Sequence, residues 1–172
     1  GKAKGDIKRW ISQDKGKGVR FTTMFDLYGL PKDFPNYNES EKINEPYQRV
    51  RFLENSLKED IQEHRFTPYI QLYEYEALIL SDPAKFEFAE DSSQIEKLIK
   101  LVKKFKSPEL INDGAETAPS KRIIRIIPEY KHLKPIVGPS IAQQIGLETI
   151  RKKCPHFNEW LNKLETLSGA IK

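Results

Sequence analysis

Along this chain the spacing of apolar positions switches from helical to extended and back, and the switches mark the elements. Ile7, Trp10 and Ile11 recur at helical spacing after Asp6, which predicts a short helix N-capped by Asp6 and closed by a turn at Gly16 and Gly18. Val19 to Phe25 is rich in β-branched and aromatic residues and apolar on both faces, the pattern of a buried strand in a parallel sheet, and Asp26 stands at its end. From Tyr28 to Pro46 the chain carries three prolines with Asn36 and Asn38 among them, which predicts a long surface loop of the functional kind. Val50, Leu53, Leu57 and Ile61 mark one face of a helix, and Phe66 to Leu72 reads as a second strand. Pro68 is expected near the entry end of that strand, where its missing N–H costs least. Strand, helix, strand is the order of a parallel crossover unit.

Downstream the pattern is helical. Tyr73 to Leu80 predicts the start of a helix leaving the sheet, and Ser81-Asp82-Pro83 caps a short one after it. Ile95, Leu98, Ile99, Val102 and Phe105 form an apolar stripe, Pro119 opens a helix through Ile127, and Gly138-Pro139-Ser140 looks like a helix start. Two short pieces broken at Gly146 lead to a closing helix lined by Phe157, Trp160, Leu161, Leu164 and Leu167. The fold class expected is α/β, with a parallel sheet of few strands over residues 1–81 and a helical C-terminal subdomain over 82–172 packed on it. A pair of parallel strands exposes two edges, so the expectation is that further strands precede Gly1 or that another chain completes the sheet.

Composition narrows the classes. Hydrophobic residues are 38% and charged residues 31% of 172, a balance that folds rather than staying disordered. A lone cysteine, Cys154, excludes a disulfide framework and points to a reducing, cytoplasmic setting. No apolar run approaches the ~20 residues of a spanning helix, so no membrane partner is expected. The net charge of +4 tolerates a polyanionic partner without requiring one. His64, His132 and His156 are scattered without ligand spacing, and no glycine-rich phosphate loop is present.

Ligand sites in open α/β sheets lie beyond the carboxyl ends of the strands. Asp26, Glu74 and Glu76 occupy such positions, and carboxylates leaving neighbouring parallel strands suit a Mg²⁺ ion, with Asp26 and Glu74 as its ligands and all three as catalytic candidates. The plainer alternatives are an Asx-type turn at Asp26 and first-turn carboxylates complementing a helix dipole at Glu74 and Glu76. Around Asn112 to Arg122 a turn and a helix start carry Lys121 and Arg122, which suit a phosphate group. The alternative there is ordinary capping with solvated cations. Lys97, Lys100, Lys103, Lys104 and Lys106 make one basic run, and Arg151, Lys152 and Lys153 another.

The blocks Thr22-Thr23-Met24-Phe25-Asp26-Leu27-Tyr28-Gly29-Leu30-Pro31 and Pro68-Tyr69-Ile70-Gln71-Leu72-Tyr73-Glu74-Tyr75-Glu76-Ala77-Leu78 resemble the bacterial domain-of-unknown-function family 4276. Ser107 to Asn112, Pro119 to Arg122 and Arg151 to Phe157 resemble its later blocks, so the likeness spans nearly the whole chain. That family is similar to Toprim domains, the metal-binding fold of topoisomerases, primases and overcoming-lysogenization-type nucleases, and is often found beside ATPases in bacterial defence loci. The resemblance implies a Toprim-like sheet with Asp26 at the first acidic position of the Asp-x-Asp motif, followed by Glu74 and Glu76 on the next strand. It further implies a Mg²⁺-dependent nuclease or other phosphodiester-processing domain acting on nucleic acid. The family's opening strand with its Glu-Gly turn has no match in Gly1 to Lys17, Tyr28 replaces the second aspartate, and Tyr73 stands where the family commonly has His. These departures motivate the rival expectation, a non-catalytic interaction or sensor subunit for a partner ATPase.

Overall fold

The computed structural model describes residues 2–89, 91–112 and 115–169. The turn expected at Asp113-Gly114 lies outside the described residues. The chain forms an α/β fold with a small parallel sheet and a larger helical part, in two compact units: Gly1–Gln71 with Glu165–Lys172, and Leu72–Leu164.

In the first unit, helix α1 (Lys2–Gln13) buries Ile7. Because α1 begins four residues before Asp6, that carboxylate sits inside the helix rather than capping it, and it accepts from the Arg9 guanidinium at 2.7 Å. Strand β1 (Phe21–Thr22) pairs in parallel with β3 (Phe66–Thr67), and β2 (Phe25–Asp26) pairs in parallel with β4 (Ile70–Gln71). Each expected continuous strand is therefore two short ones, and Pro68 lies between β3 and β4 instead of at the entry end. The cause is local. Proline brings no N–H to the ladder, and the hydroxyl of Thr23 bridges the gap, accepting from the Tyr69 N–H at 3.0 Å and donating to the Tyr69 carbonyl at 3.1 Å.

Helix α3 (Pro46–Ile61) starts on Pro46, with Glu45 accepting from the N–H groups of Tyr47 and Gln48, and stops where Gln62 turns left-handed at φ 56°. Val50, Leu53, Leu57 and Ile61 are its buried face, which packs on β3 and β4. The segment expected to be a plain loop before it holds a 3-10 turn (Leu27–Gly29) and helix α2 (Tyr37–Ser40), which packs on α3, and it buries Leu30 and Phe34. Two large apolar side chains bring core contacts that outweigh the turn residues around them.

The second unit is helical. Helix α4 (Glu76–Ile79) is buried along its whole length. A 3-10 turn (Pro83–Lys85) capped by Asp82 leads to α5 (Ser92–Val102), whose Leu98 and Leu101 face inward. A second 3-10 turn (Pro108–Leu110) and a third (Ala115–Thr117) precede α6 (Pro119–Ile126), α7 (Tyr130–Ile145), α8 (Leu147–Lys153) and α9 (Pro155–Gly169), which belongs to this unit as far as Leu164 and to the first from Glu165. Gly138-Pro139-Ser140 lies within α7 and does not start a helix; Pro135 and Pro139 are spaced so that the N–H lost at 139 is the one that would reach the carbonyl of 135. Gly146, at φ 77° and ψ 149°, makes the break between α7 and α8 in a conformation open essentially to glycine alone. Leu72, Ile79, Phe86, Leu98, Ile123 and Tyr130 are fully enclosed in this unit's core.

Candidate functional site

Asp26 closes β2 in register with Gln71, so the two strands run side by side in one direction and the acid stands at the carboxyl end of the pair. It is half-buried and immediately precedes the Leu27–Gly29 turn, and its side chain does not cap that turn. Tyr28, two residues further on, is exposed.

Beyond β4 the backbone bends abruptly. Tyr73 holds a left-handed φ of 62°, and the Glu74 N–H donates to the Leu72 carbonyl at 2.9 Å across it. A non-glycine residue in this region stores about 1–3 kcal/mol of strain. The bend directs the two following acids into the helical unit.

Glu74 is half-buried, and its Oε2 accepts the N–H of Ser120 at 2.9 Å. Ser120 is in the first turn of α6, whose N-cap residue, Ala118, has no side-chain acceptor of its own. The carboxylate complements the dipole of a helix 46 residues away, a partnership that no spacing rule reveals. Glu76 is 1% exposed; its Oε1 meets the Lys134 ammonium at 2.7 Å and accepts from the Tyr130 hydroxyl at 3.2 Å. Burial, and then the negative charge of Glu76, push the Tyr130 phenol upward, so it remains a proton donor. Tyr75 is raised by the same two causes in the same order. The ring of Tyr130 packs with those of Phe86 and Phe88 at centroid separations of 6.0 to 6.3 Å within the three, which fixes the phenol that meets Glu76.

Lys121 is exposed on α6, whereas Arg122 is half-buried, donating from Nε to the Thr117 carbonyl at 2.7 Å and lying 5.5 Å from the centroid of the Phe105 ring. At this helix N-terminus the Ser120 donor that a phosphate would need already serves Glu74.

Sequence reasoning missed Glu109 altogether. It is wholly buried, and its two oxygens accept the N–H groups of His156 and Phe157 at 3.1 and 2.9 Å, at the start of α9. Cys154 beside it is buried against Ser81, at 3.3 Å, and burial followed by the Glu109 charge pushes its thiol up, away from any reactive thiolate. Among the described residues no three His, Cys, Asp or Glu side chains gather as a metal-holding group.

The family model for Domain of unknown function (DUF4276) matches residues 1–165, and the chain belongs to that family. No curated protein and no solved structure matches the chain. Among the described residues no helix is long and apolar enough to cross a membrane.

Proposed function

We propose that this chain is a Toprim-like, Mg²⁺-dependent phosphodiester-processing domain, a nuclease in the first instance, with Asp26 as its metal-bearing carboxylate. The single observation behind this reading is the parallel register that brings a half-buried acid to the carboxyl end of β2. Magnesium needs only one or two protein carboxylates, the rest of its octahedron being water and substrate phosphate, so the donor set at Asp26 fits the ion in kind. Bound there, the ion supplies Lewis-acid polarisation of a phosphate and an activated water. Asp26 would orient the ion, and Glu74 and Glu76 would hold α6 and α7 within their own unit through Ser120, Tyr130 and Lys134. A nucleic acid substrate, a cytoplasmic setting and a place in a bacterial defence system complete the reading.

Calorimetric titration with Mn²⁺, run beside Mg²⁺-dependent cleavage of end-labelled DNA and RNA, tests it. Asp26→Asn is expected to weaken metal binding at least tenfold and remove cleavage, with an unchanged circular dichroism spectrum. Equal binding by the variant would take Asp26 out of the role.

A second reading, a non-catalytic docking or sensor subunit for a partner ATPase, is favoured by one observation: Glu74 and Glu76 are both engaged inside the helical unit. Under it the chain co-purifies with a partner ATPase in a salt-insensitive manner and cleaves nothing.

A further inference from the structure

Two basic runs far apart in sequence are fastened together in the second unit. The Ser107 hydroxyl donates to the Lys153 carbonyl at 2.9 Å, and Glu109, two residues on, accepts from His156 and Phe157. Ser107 and Glu109 are buried, so the seam itself is dry, whereas Lys106 and Lys153, one residue from it or part of it, are exposed. Lys103, Lys104 and Lys152 are exposed on the two approaches. Phe105 lies within the lysine run, and the Arg122 guanidinium sits over its ring. Three hydrogen bonds and a cation–π contact thereby collect six cations from α6, from the end of α8 and from the segment after α5.

Helix termini explain only part of this. The C-terminus of a helix carries about half a negative charge, so the ends of α5 and α8 together account for about one lysine. Six cations held close repel one another and accumulate counterions, the condition under which a polyanion binds by releasing them.

We infer that the surface formed by Lys103, Lys104, Lys106, Arg122, Lys152 and Lys153 binds the phosphodiester backbone of a nucleic acid, by charge and without reading bases. The choice of polyanion rests on the phosphodiester reading above. Binding at this surface needs no metal, so the two fail separately.

The test is fluorescence anisotropy of labelled duplex DNA, single-stranded DNA and RNA in EDTA, across a salt series. Wild type should bind in EDTA, with log affinity falling against log salt at a slope no steeper than about −5, which is six contacts at ~0.9 each on a duplex. Lys106→Glu/Lys153→Glu should lower affinity at least tenfold at about 0.1 M salt and flatten the slope by about 2. Lys32→Glu/Lys42→Glu, exposed residues of the first unit, make the same change in net charge, from +4 to zero, and should leave affinity within about twofold. The milder Lys106→Gln/Lys153→Gln, checked by thermal melting, should fall between. Equal losses in the two double variants, no salt-sensitive binding of any nucleic acid by wild type, or binding only to vesicles of anionic phospholipid would each overturn the inference. The three nucleic acid arms identify which backbone is preferred.

Discussion

Glu54, Glu74 and Glu109 work alike: each, buried at 54 and 109 and half-buried at 74, offers its oxygens to backbone N–H groups distant in sequence. Glu54 takes the N–H of Ile70 at 2.9 Å, a donor that the pairing of Ile70 with Phe25 leaves over. Glu74 takes Ser120, and Glu109 takes His156 and Phe157. A charged acceptor on a buried N–H is stronger than a neutral one, and its loss leaves the donor without water or partner. Glu109→Ala is therefore expected to lower stability by about 2–4 kcal/mol in urea denaturation, with Glu109→Gln recovering part because it keeps one acceptor oxygen. An unchanged urea midpoint in the alanine variant would show that the α9 start finds acceptors elsewhere. The identity of the acids was visible in the sequence, but their partners were not. The dipole that Glu74 complements belongs to another helix, and Glu109 is embedded in a Ser-Pro-Glu turn whose signature gives no hint of burial. Tyr73 carries no marker of its left-handed backbone, because tyrosine is a poor choice for that region.

At the scale of elements, periodicity and capping were good guides wherever local physics decides. The α3 face, the Asp82 cap, the Pro119 start and the break at Gly146 all follow from spacing or from a residue with one conformational use. The strands were legible in place and direction but not in continuity, since the interruption at Pro68 depends on what Thr23 does across the pair. Thr23→Val keeps the shape and removes the hydroxyl, which should cost about 1–3 kcal/mol, whereas Thr23→Ser should be nearly neutral. Hydrogen exchange at Tyr69 reads this directly: faster exchange in the valine variant alone is expected, and equal protection in both would mean the bridge carries no weight. Misreading Gly138-Pro139-Ser140 had a similar origin, as proline usually marks a first turn, yet α7 tolerates two of them within a length of 16 residues.

For the molecule as a whole, ionisation sets the limits of stability. Hydrogen bonds from Arg65 lower the Glu63 carboxyl from an ordinary 4.5 to about 2, and bonds from Ser93 lower Asp91 in the same direction. A depressed acid contributes fully above its unfolded value and loses that contribution as pH falls through the folded one, so unfolding midpoints should decline from about pH 4.5 toward 2. Cys154 is raised from 9.0, so its contribution is complete below that value and declines as pH climbs beyond it. Urea midpoints measured across this range should form a plateau with two shoulders. Glu63→Gln should flatten the acid shoulder and Cys154→Ala the alkaline one; a shoulder that persists unaltered would assign it to other groups. The switch from strands to helices set the expected boundary at residue 81, whereas residues 72–164 form a compact unit of their own, an excursion whose return at Glu165 leaves no trace in the spacing of apolar positions. That excursion has a temporal consequence: the first unit draws on Glu165 onward, so a ribosome must deliver every residue of the second before the first has all its parts.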